Sequence, residues 1–429
     1  MNNSYNSKKI TLLNAISIGV GGMVGGGIFA VLGLAVSIAK GGAPIAFLLA
    51  GLIALLTAYS YSKLSLRYPE NGGTVDYIDA QYGEGIFSGG INNLLWFSYI
   101  VMLALYASAF GSYGNALYHL TSNVSLNTHI YESGILIIAL LLNFLSVKLV
   151  GNIESFSVII KLTILFLFVV LGLYGLSEHS ENIQQLELKN WATTMNLISG
   201  GMVIFVAYEG FELIANSVSD LKNREKNTAK SYFISVVFVI ILYLLIAVIT
   251  VGSLPFSKIA SAQDYVLAEA AEPFLGKIGF TIITITALIS TFSAINATVL
   301  GSGRVNYDIA QNNELPKYFT HQFHGKPIGF IVTAFLSLLL VNFFNLESIS
   351  TAGSSGFLLI FTIVNFVAFK KHKLLQSNKL LHLLATALSF FAFIVLLIQQ
   401  FETNILGFSV AIGIIFLSFL VEFIYKRSK

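Results

Sequence analysis

Residues 19–33 read GVGGMVGGGIFAVLG, and seven of these fifteen positions are glycine: Gly19, Gly21, Gly22, Gly25, Gly26, Gly27 and Gly33. The run lies inside an apolar segment that begins near Thr11. Glycine has no side chain to pack and weakens a helix interior by roughly 0.5–1 kcal/mol relative to alanine, so a run of this kind serves the backbone. In a bilayer, non-helical backbone survives only where it is buried in protein or lines a cavity, because no water is present to satisfy it. A break at Gly25, Gly26 and Gly27 therefore predicts a polar site in mid-membrane, with one helix ending near Met23 and another restarting near Gly27. The second half then presents free N–H groups and a positive dipole end to a carboxylate, and the first half presents free carbonyls to an ammonium. The competing reading is close helix packing, since Gly21 with Gly25 and Gly22 with Gly26 fit the small-xxx-small pattern. A phosphate loop does not fit, because no Lys-Ser or Lys-Thr follows the glycines.

The rest of the chain supports a membrane setting. Of its 429 residues, 55% are hydrophobic and only 10% charged, against about a quarter charged in soluble domains. Twelve apolar stretches are long enough to cross a ~30 Å hydrocarbon core as helices: residues 11–39, 43–66, 86–118, 130–149, 152–176, 196–219, 231–253, 275–303, 328–345, 348–369, 380–399 and 404–425. The expected fold is thus an all-α integral membrane protein. There is no cysteine, hence no disulfide or thiolate metal site. The first apolar run is too long for a cleaved signal and reads as a retained span after a polar tail, residues 1–10. Nineteen of the 24 Lys and Arg residues fall on one side if the N-terminus is inside, with Lys40, Lys189, Lys258 and Lys277 outside and Lys161 within a span. The positive-inside bias places both termini in the cytoplasm of a cell-membrane protein. It also accounts for the net charge of +3 without a nucleic-acid partner.

Spans one to five (11–176) and six to ten (196–369) start on opposite sides, which is the arrangement of an inverted repeat, with the last two (380–425) peripheral. Broken helices in such transporters occupy matching positions in the two halves, so the sixth span is expected to break as the first does. It reads GGMVIFVAYEGFELIANSVSD, with Glu209, Gly210 and Glu212 at its centre, and carboxylates there point to a cavity rather than lipid. In the fifth span Lys161 stands alone in SFSVIIKLTILFLFVV. A lysine near mid-bilayer costs roughly 2.5–3.5 kcal/mol on insertion scales, so it snorkels, pairs or exchanges a proton as its surroundings change. The last option makes it a coupling device. Tyr99, Tyr106 and Tyr113 recur every seven residues along one face of the third span, a pattern read as core packing or an interfacial belt. His321 and His324 have no third ligand nearby and read as solvated. The KNREKN run at 222–227 reads as a positive-inside loop.

These residues resemble the amino acid-polyamine-organocation family over nearly the whole chain, and within it the proton-coupled, broad-specificity archaeal amino acid transporters. The resemblance rests on GGMVGGGIF in the first span, YPENGGTVDYIDAQYG from Tyr68, FVAYEGFELIAN from Phe205, Lys161 in its apolar context, AEPFLGKIGF from Ala271, and RVNYDIAQNNELP from Arg304. It implies a ten-helix inverted-repeat core, shared with sodium-coupled neurotransmitter transporters, with helices 1 and 6 broken and two peripheral helices added. By the same resemblance Gly25, Gly26 and Gly27 cradle a substrate carboxylate, and the carbonyls of Met23 and Val24 hold its ammonium. Phe205 is similar to the aromatic lid over the substrate, while Val206, Glu209 and Gly210 line or form the second break. Lys161 resembles the lysine that stands in for a sodium ion, near first-span carbonyls and hydroxyls such as Ser290, Thr291 and Ser293. Glu212 is a candidate for gating or proton relay.

The chain departs from the family pattern in three places. Gly26 stands where the family often has serine or alanine, Arg224 replaces a usual proline, and Asn312-Asn313 replaces Asp-Gly. The function implied is proton-coupled, sodium-independent amino acid import by alternating access, with no cofactor. The readings in competition are an exchanger of amino acids or polyamines and a non-translocating nutrient sensor. An enzyme is disfavoured, since no nucleophile, base and orienting group share a motif.

Overall fold

In the computed structural model, which describes residues 10–69, 73–145, 147–178, 182–323 and 326–427, the apolar stretches form helices packed around the glycine run. The first span is two helices, α1 (Leu12–Met23) and α2 (Gly27–Ala39), bent by 46° across Val24–Gly26. α3 (Ala43–Arg67) is followed by a short helix, α4 (Thr74–Tyr82), then α5 (Ile86–Leu117), α6 (Val124–Leu145) and α7 (Val147–Glu178). The sixth span comprises α8 (Thr194–Val203) and the tightly wound 3₁₀ segment Phe205–Asp220, bent by 41°. Next come α9 (Arg224–Ser253), a short α10 (Phe256–Ser261) and α11 (Val266–Gln311). The chain closes with α12 (Gly329–Phe343), α13 (Leu346–Lys370), α14 (Lys379–Thr403) and α15 (Ile405–Arg427). The strands Gln322–Phe323 and Lys326–Pro327 form a two-residue hairpin pairing.

Among the described residues nine helices are long and apolar enough to span a bilayer, or eleven if each bent pair counts as one. The shortfall against twelve is at the expected ninth span, 328–345. α12 has fifteen residues, about 22 Å at 1.5 Å per residue, because Phe344 turns extended and Asn345 caps the next helix through its side chain. Other boundaries also shift. α9 starts at Arg224, so most of the run read as a loop is helical, with Asn223 left-handed (φ 49°) as its cap. α11 runs through the expected start at 275, with a kink at Gly276 (φ 61°), a conformation glycine adopts without a Cβ clash. It continues two turns beyond residue 303. The division expected between 149 and 152 lies inside α7, which starts at Val147. Most of the tail 1–10, with Lys8 and Lys9, and His324 lie outside the described residues.

The helices pair in matching ways: α1 with the 3₁₀ segment, α3 with α9, α5 with α11, and α6 with α12. α7 packs on α11 as α13 packs on α5. α4 lies against α5 and α13, held by Asp79, which accepts from Asn92 and Asn312, each at 2.9 Å. That contact gives one departure from the family pattern a physical reason, since an aspartate at 312 would set a like charge against Asp79. Ile10 and Leu221 form a parallel bridge, so the start of the described chain and the end of the 3₁₀ segment share one end of the bundle.

Candidate functional site

The break in the first span is held open by hydrogen bonds from three other helices. The Lys161 ammonium on α7, 1% exposed, donates to the Gly21 carbonyl at 2.8 Å. Tyr243 on α9 donates to the Met23 carbonyl at 2.7 Å, and Ser290 on α11 donates to those of Val24 (3.0 Å) and Gly25. The last carbonyls of a helix need such partners in a bilayer. The donors spread over α7, α9 and α11, so any change in the break is felt by all three. Thr291 turns back onto Ala287 and Leu288 of its own helix and takes no part. The Met23 and Val24 carbonyls, expected to hold an ammonium, already accept one hydroxyl each.

On the other side of the break, α2 starts at Gly27 with no side-chain cap. Its first N–H groups have no partner within the helix. The ring of Tyr106 lies over this cradle, such that a Cβ built on Gly26 would stand 2.1 Å from Tyr106 Cδ1. Gly27 is pressed as closely on Ala207, 2.8 Å from its Cα by the same measure, and Gly25 on the Ala294 methyl at 2.9 Å.

The break in the sixth span lies at Ile204, six residues before Gly210. The Val203 carbonyl accepts from Ser350 (2.8 Å) and Ser354 (2.7 Å) of α13, and the Ser354 hydroxyl also accepts from the Val206 N–H at 3.0 Å. α13 thus clamps the second break as α7 clamps the first. Gly210 has a different task. Its missing Cβ would lie 2.3 Å from the Gly22 carbonyl carbon and 2.4 Å from the Met23 nitrogen, so this glycine lets two backbones cross. Gly210→Ala is expected to force that crossing apart, costing about 1–3 kcal/mol as overpacking does, with the variant melting earlier in a detergent thermal-shift assay while Gly301→Ala, whose nearest neighbour would be 3.9 Å away, melts with the parent.

Glu209 and Glu212, both 5% exposed, are treated differently by their surroundings. Glu212 accepts from Tyr99 (2.6 Å), Thr74 (3.3 Å) and Tyr61 (3.4 Å), joining α5, α4 and α3. Glu209 carries a buried carboxylate oxygen, Oε2, with no hydrogen-bond partner among the described residues. It lines a cavity with Gly21, Gly22, Tyr99, Tyr106 and Ser293. The space is about 20 Å³, room for one water. Phe205 stands outside this cavity, its ring 5.9 Å from that of Phe361 on α13. The tyrosine stripe read as packing is buried in the core and also borders the candidate site, with Tyr99 on Glu212, Tyr106 over Gly26, and Tyr113 donating to the Phe29 carbonyl at 3.3 Å. Its seven-residue spacing was the available signal, as was the hydroxyl-rich SISTAGSS at 348–355 for the serine clamp.

Comparison with known proteins fits this geometry. The family described as amino acid permease matches residues 10–421. The chain belongs to that family. The permease is 34% identical over 422 residues to the uncharacterized protein MJ0609 of Methanocaldococcus jannaschii, covering 98% of this chain and 96% of the other. It is 28% identical to the inner membrane transport protein YbaT of Escherichia coli (99% and 97% covered) and 25% identical to the serine/threonine exchanger SteT of Bacillus subtilis (95% and 94%). In three dimensions it matches the manganese transporter of Eremococcus coleocola with a TM-score of 0.63 at 12% identity, over 100% of this chain and 97% of that one, a likeness of fold alone. The permease is thus a membrane protein of a transporter family, with small molecules as its substrates.

Proposed function

We propose that the permease is a proton-coupled, sodium-independent importer of amino acids that works by alternating access. The observation that carries this reading is the buried, unpartnered Glu209 carboxylate facing the end of a broken glycine helix. An ionised carboxylate is not left alone in such a place without a cation or a proton. In the proposed site the N–H groups of Gly26 and Gly27 take the substrate carboxylate, with Gly25 forming the turn. Glu209 and the remaining lone pairs of the Met23 and Val24 carbonyls take the ammonium. Val206 and Phe205 close the outer side, with Phe205 leaving Phe361 to do so, and Gly210 keeps the two broken helices in register. A cavity of about 20 Å³ is too small for any amino acid, so the described conformation is a contracted one, and Tyr106 has to leave Gly26 before a carboxylate reaches it.

Lys161 is the proposed coupling group, with Glu212 tying the closing elements together. The matched helix pairs and the matched clamps on Gly21 and Val203 support two inverted repeats, residues 11–176 and 196–369, with 380–425 peripheral. α12 then serves as the ninth of twelve spans, its shortness met by local thinning of the bilayer. The Lys and Arg distribution supports a cell-membrane orientation with both termini cytoplasmic. The likeness to a serine/threonine exchanger favours amino acids as cargo and keeps exchange as the second reading.

The test of the site is competition for uptake by a panel of radiolabelled L-amino acids, their esters and their amides. Free amino acids are expected to compete and the esters and amides to fail, since they lack the carboxylate charge. Glu209→Gln is expected to raise the KM at least tenfold, in line with loss of a charge-assisted hydrogen bond worth about 1.5–3 kcal/mol. Equal competition by esters, or an unchanged KM in E209Q, refutes the site.

A further inference from the structure

A second chamber, of about 250 Å³, lies on the far side of the Tyr99–Glu212 hydrogen bond from the Glu209 cavity. Tyr99 lines both spaces. The chamber is walled by Thr74 and Asp76 of α4, by Glu212, and by Arg304 and Asp308 one turn apart on α11. Asn216, near the end of the 3₁₀ segment that leads to Leu221, also lines it. Nothing in the proposed transport site uses Asp76, Arg304 or Asp308.

The wall carries charges of both signs. Arg304 is exposed, lies within 4 Å of no carboxylate among the described residues, and acts electrostatically on Asp308 one turn away. Asp76 is pushed up to about 6, first by burial and then by the neighbouring carboxylates Asp308 and Asp79. Two acids crowded together are relieved by an arriving cation, and an exposed guanidinium with no close ion pair is a natural partner for a carboxylate. At roughly 30 Å³ per water in the liquid, the chamber has the room of about eight waters, enough for a small zwitterion with part of its hydration.

We propose that this chamber is a second binding site for the transported amino acid, in series with the Gly26–Glu209 site, with Arg304 on the α-carboxylate and Asp76 and Asp308 on the α-ammonium. The inference rests on the amino acid reading above and adds a waiting position between the membrane centre and the bundle end. Glu212 belongs to the partition, since its carboxylate is already taken by three hydroxyl groups.

The test is equilibrium binding of each of the twenty radiolabelled L-amino acids to the purified permease in detergent, by scintillation proximity, with monodisperse elution required of every variant. For the amino acids that bind, two phases are expected, totalling two molecules per chain. Arg304→Gln and Asp76→Asn should each weaken the looser phase at least tenfold and leave the tighter one within twofold, and Arg304→Lys should restore part of the looser phase. Gly26→Val should remove the tighter phase alone. A single phase of one molecule per chain, lost in G26V and untouched by R304Q and D76N, overturns the second site and keeps the first. Binding lost in R304Q and untouched in G26V keeps the chamber and overturns the glycine site. Binding of none of the twenty overturns both.

Discussion

Lys161→Ala is expected to abolish accumulation driven by a pH gradient while leaving exchange of amino acid between equal pools within a few-fold of the parent rate. The Lys161 ammonium is almost fully buried and donates to the Gly21 carbonyl, within the last turn of α1, at 2.8 Å. While α1 keeps that position, the charged form has a partner. In the coupling proposed above, movement of α1 that opens the other side breaks this contact and lowers the proton affinity of Lys161. Coupling needs only that the two access states differ in proton affinity. One pH unit is worth about 1.36 kcal/mol, so a transporter moving one proton per substrate gains a tenfold accumulation ratio for each unit imposed, and the variant is expected to fall to a ratio of one. Lys161→Met, which keeps most of the volume, should behave as the alanine variant does. That outcome assigns the loss to charge rather than to a cavity. Retained accumulation in both variants makes Lys161 a structural tether and moves the coupling proton to Glu212 or Glu209.

Gly26→Val is expected to reduce substrate binding at least a hundredfold in a protein that still folds. The backbone at Gly26 has φ −123° and ψ −15°, on the side of the φ/ψ map open to side-chain-bearing residues, so no left-handed strain accompanies the change. The penalty falls on the site. A Cβ there would stand 2.1 Å from the Tyr106 ring, and the valine methyls take the space a carboxylate needs to reach the N–H groups of α2. Isothermal titration with any amino acid transported by the parent checks this, with the thermal-shift profile as the measure of folding. Parent affinity in G26V would place carboxylate recognition elsewhere in the fold.

The first break was legible because its cause is local: a triplet of glycines in an apolar run states its purpose without reference to the rest of the chain. Lys161 was legible for the same reason, as a charge where none is tolerated without a role, although its partner at Gly21, 140 residues away, was known only as one of several carbonyls. The second break was misplaced because its cause is distant. Ile204 is neither glycine nor proline, and the chain breaks there where the Ser350 and Ser354 hydroxyls take the Val203 carbonyl, 147 and 151 residues away in sequence. Gly210 drew attention as a helix breaker, yet its missing side chain makes room for Gly22. The tyrosine stripe on α5 packs into the core as its periodicity indicated, but periodicity reports which residues share a side and not which groups their hydroxyls meet. Hydropathy registered the apolar length of α12 but not its early stop at Phe344, so its shortness was not legible.

On the function proposed above, a proton gradient alone drives net movement of amino acid through the glycine break. This is tested most directly by uptake of a radiolabelled amino acid into empty proteoliposomes, in sodium-free buffer, with the outside one pH unit more acidic than the lumen. Uptake to a concentration about tenfold above the outside is expected, collapsed by a protonophore and unchanged by added sodium. Uptake that requires amino acid preloaded in the lumen, or that stops at the outside concentration with the gradient intact, contradicts it.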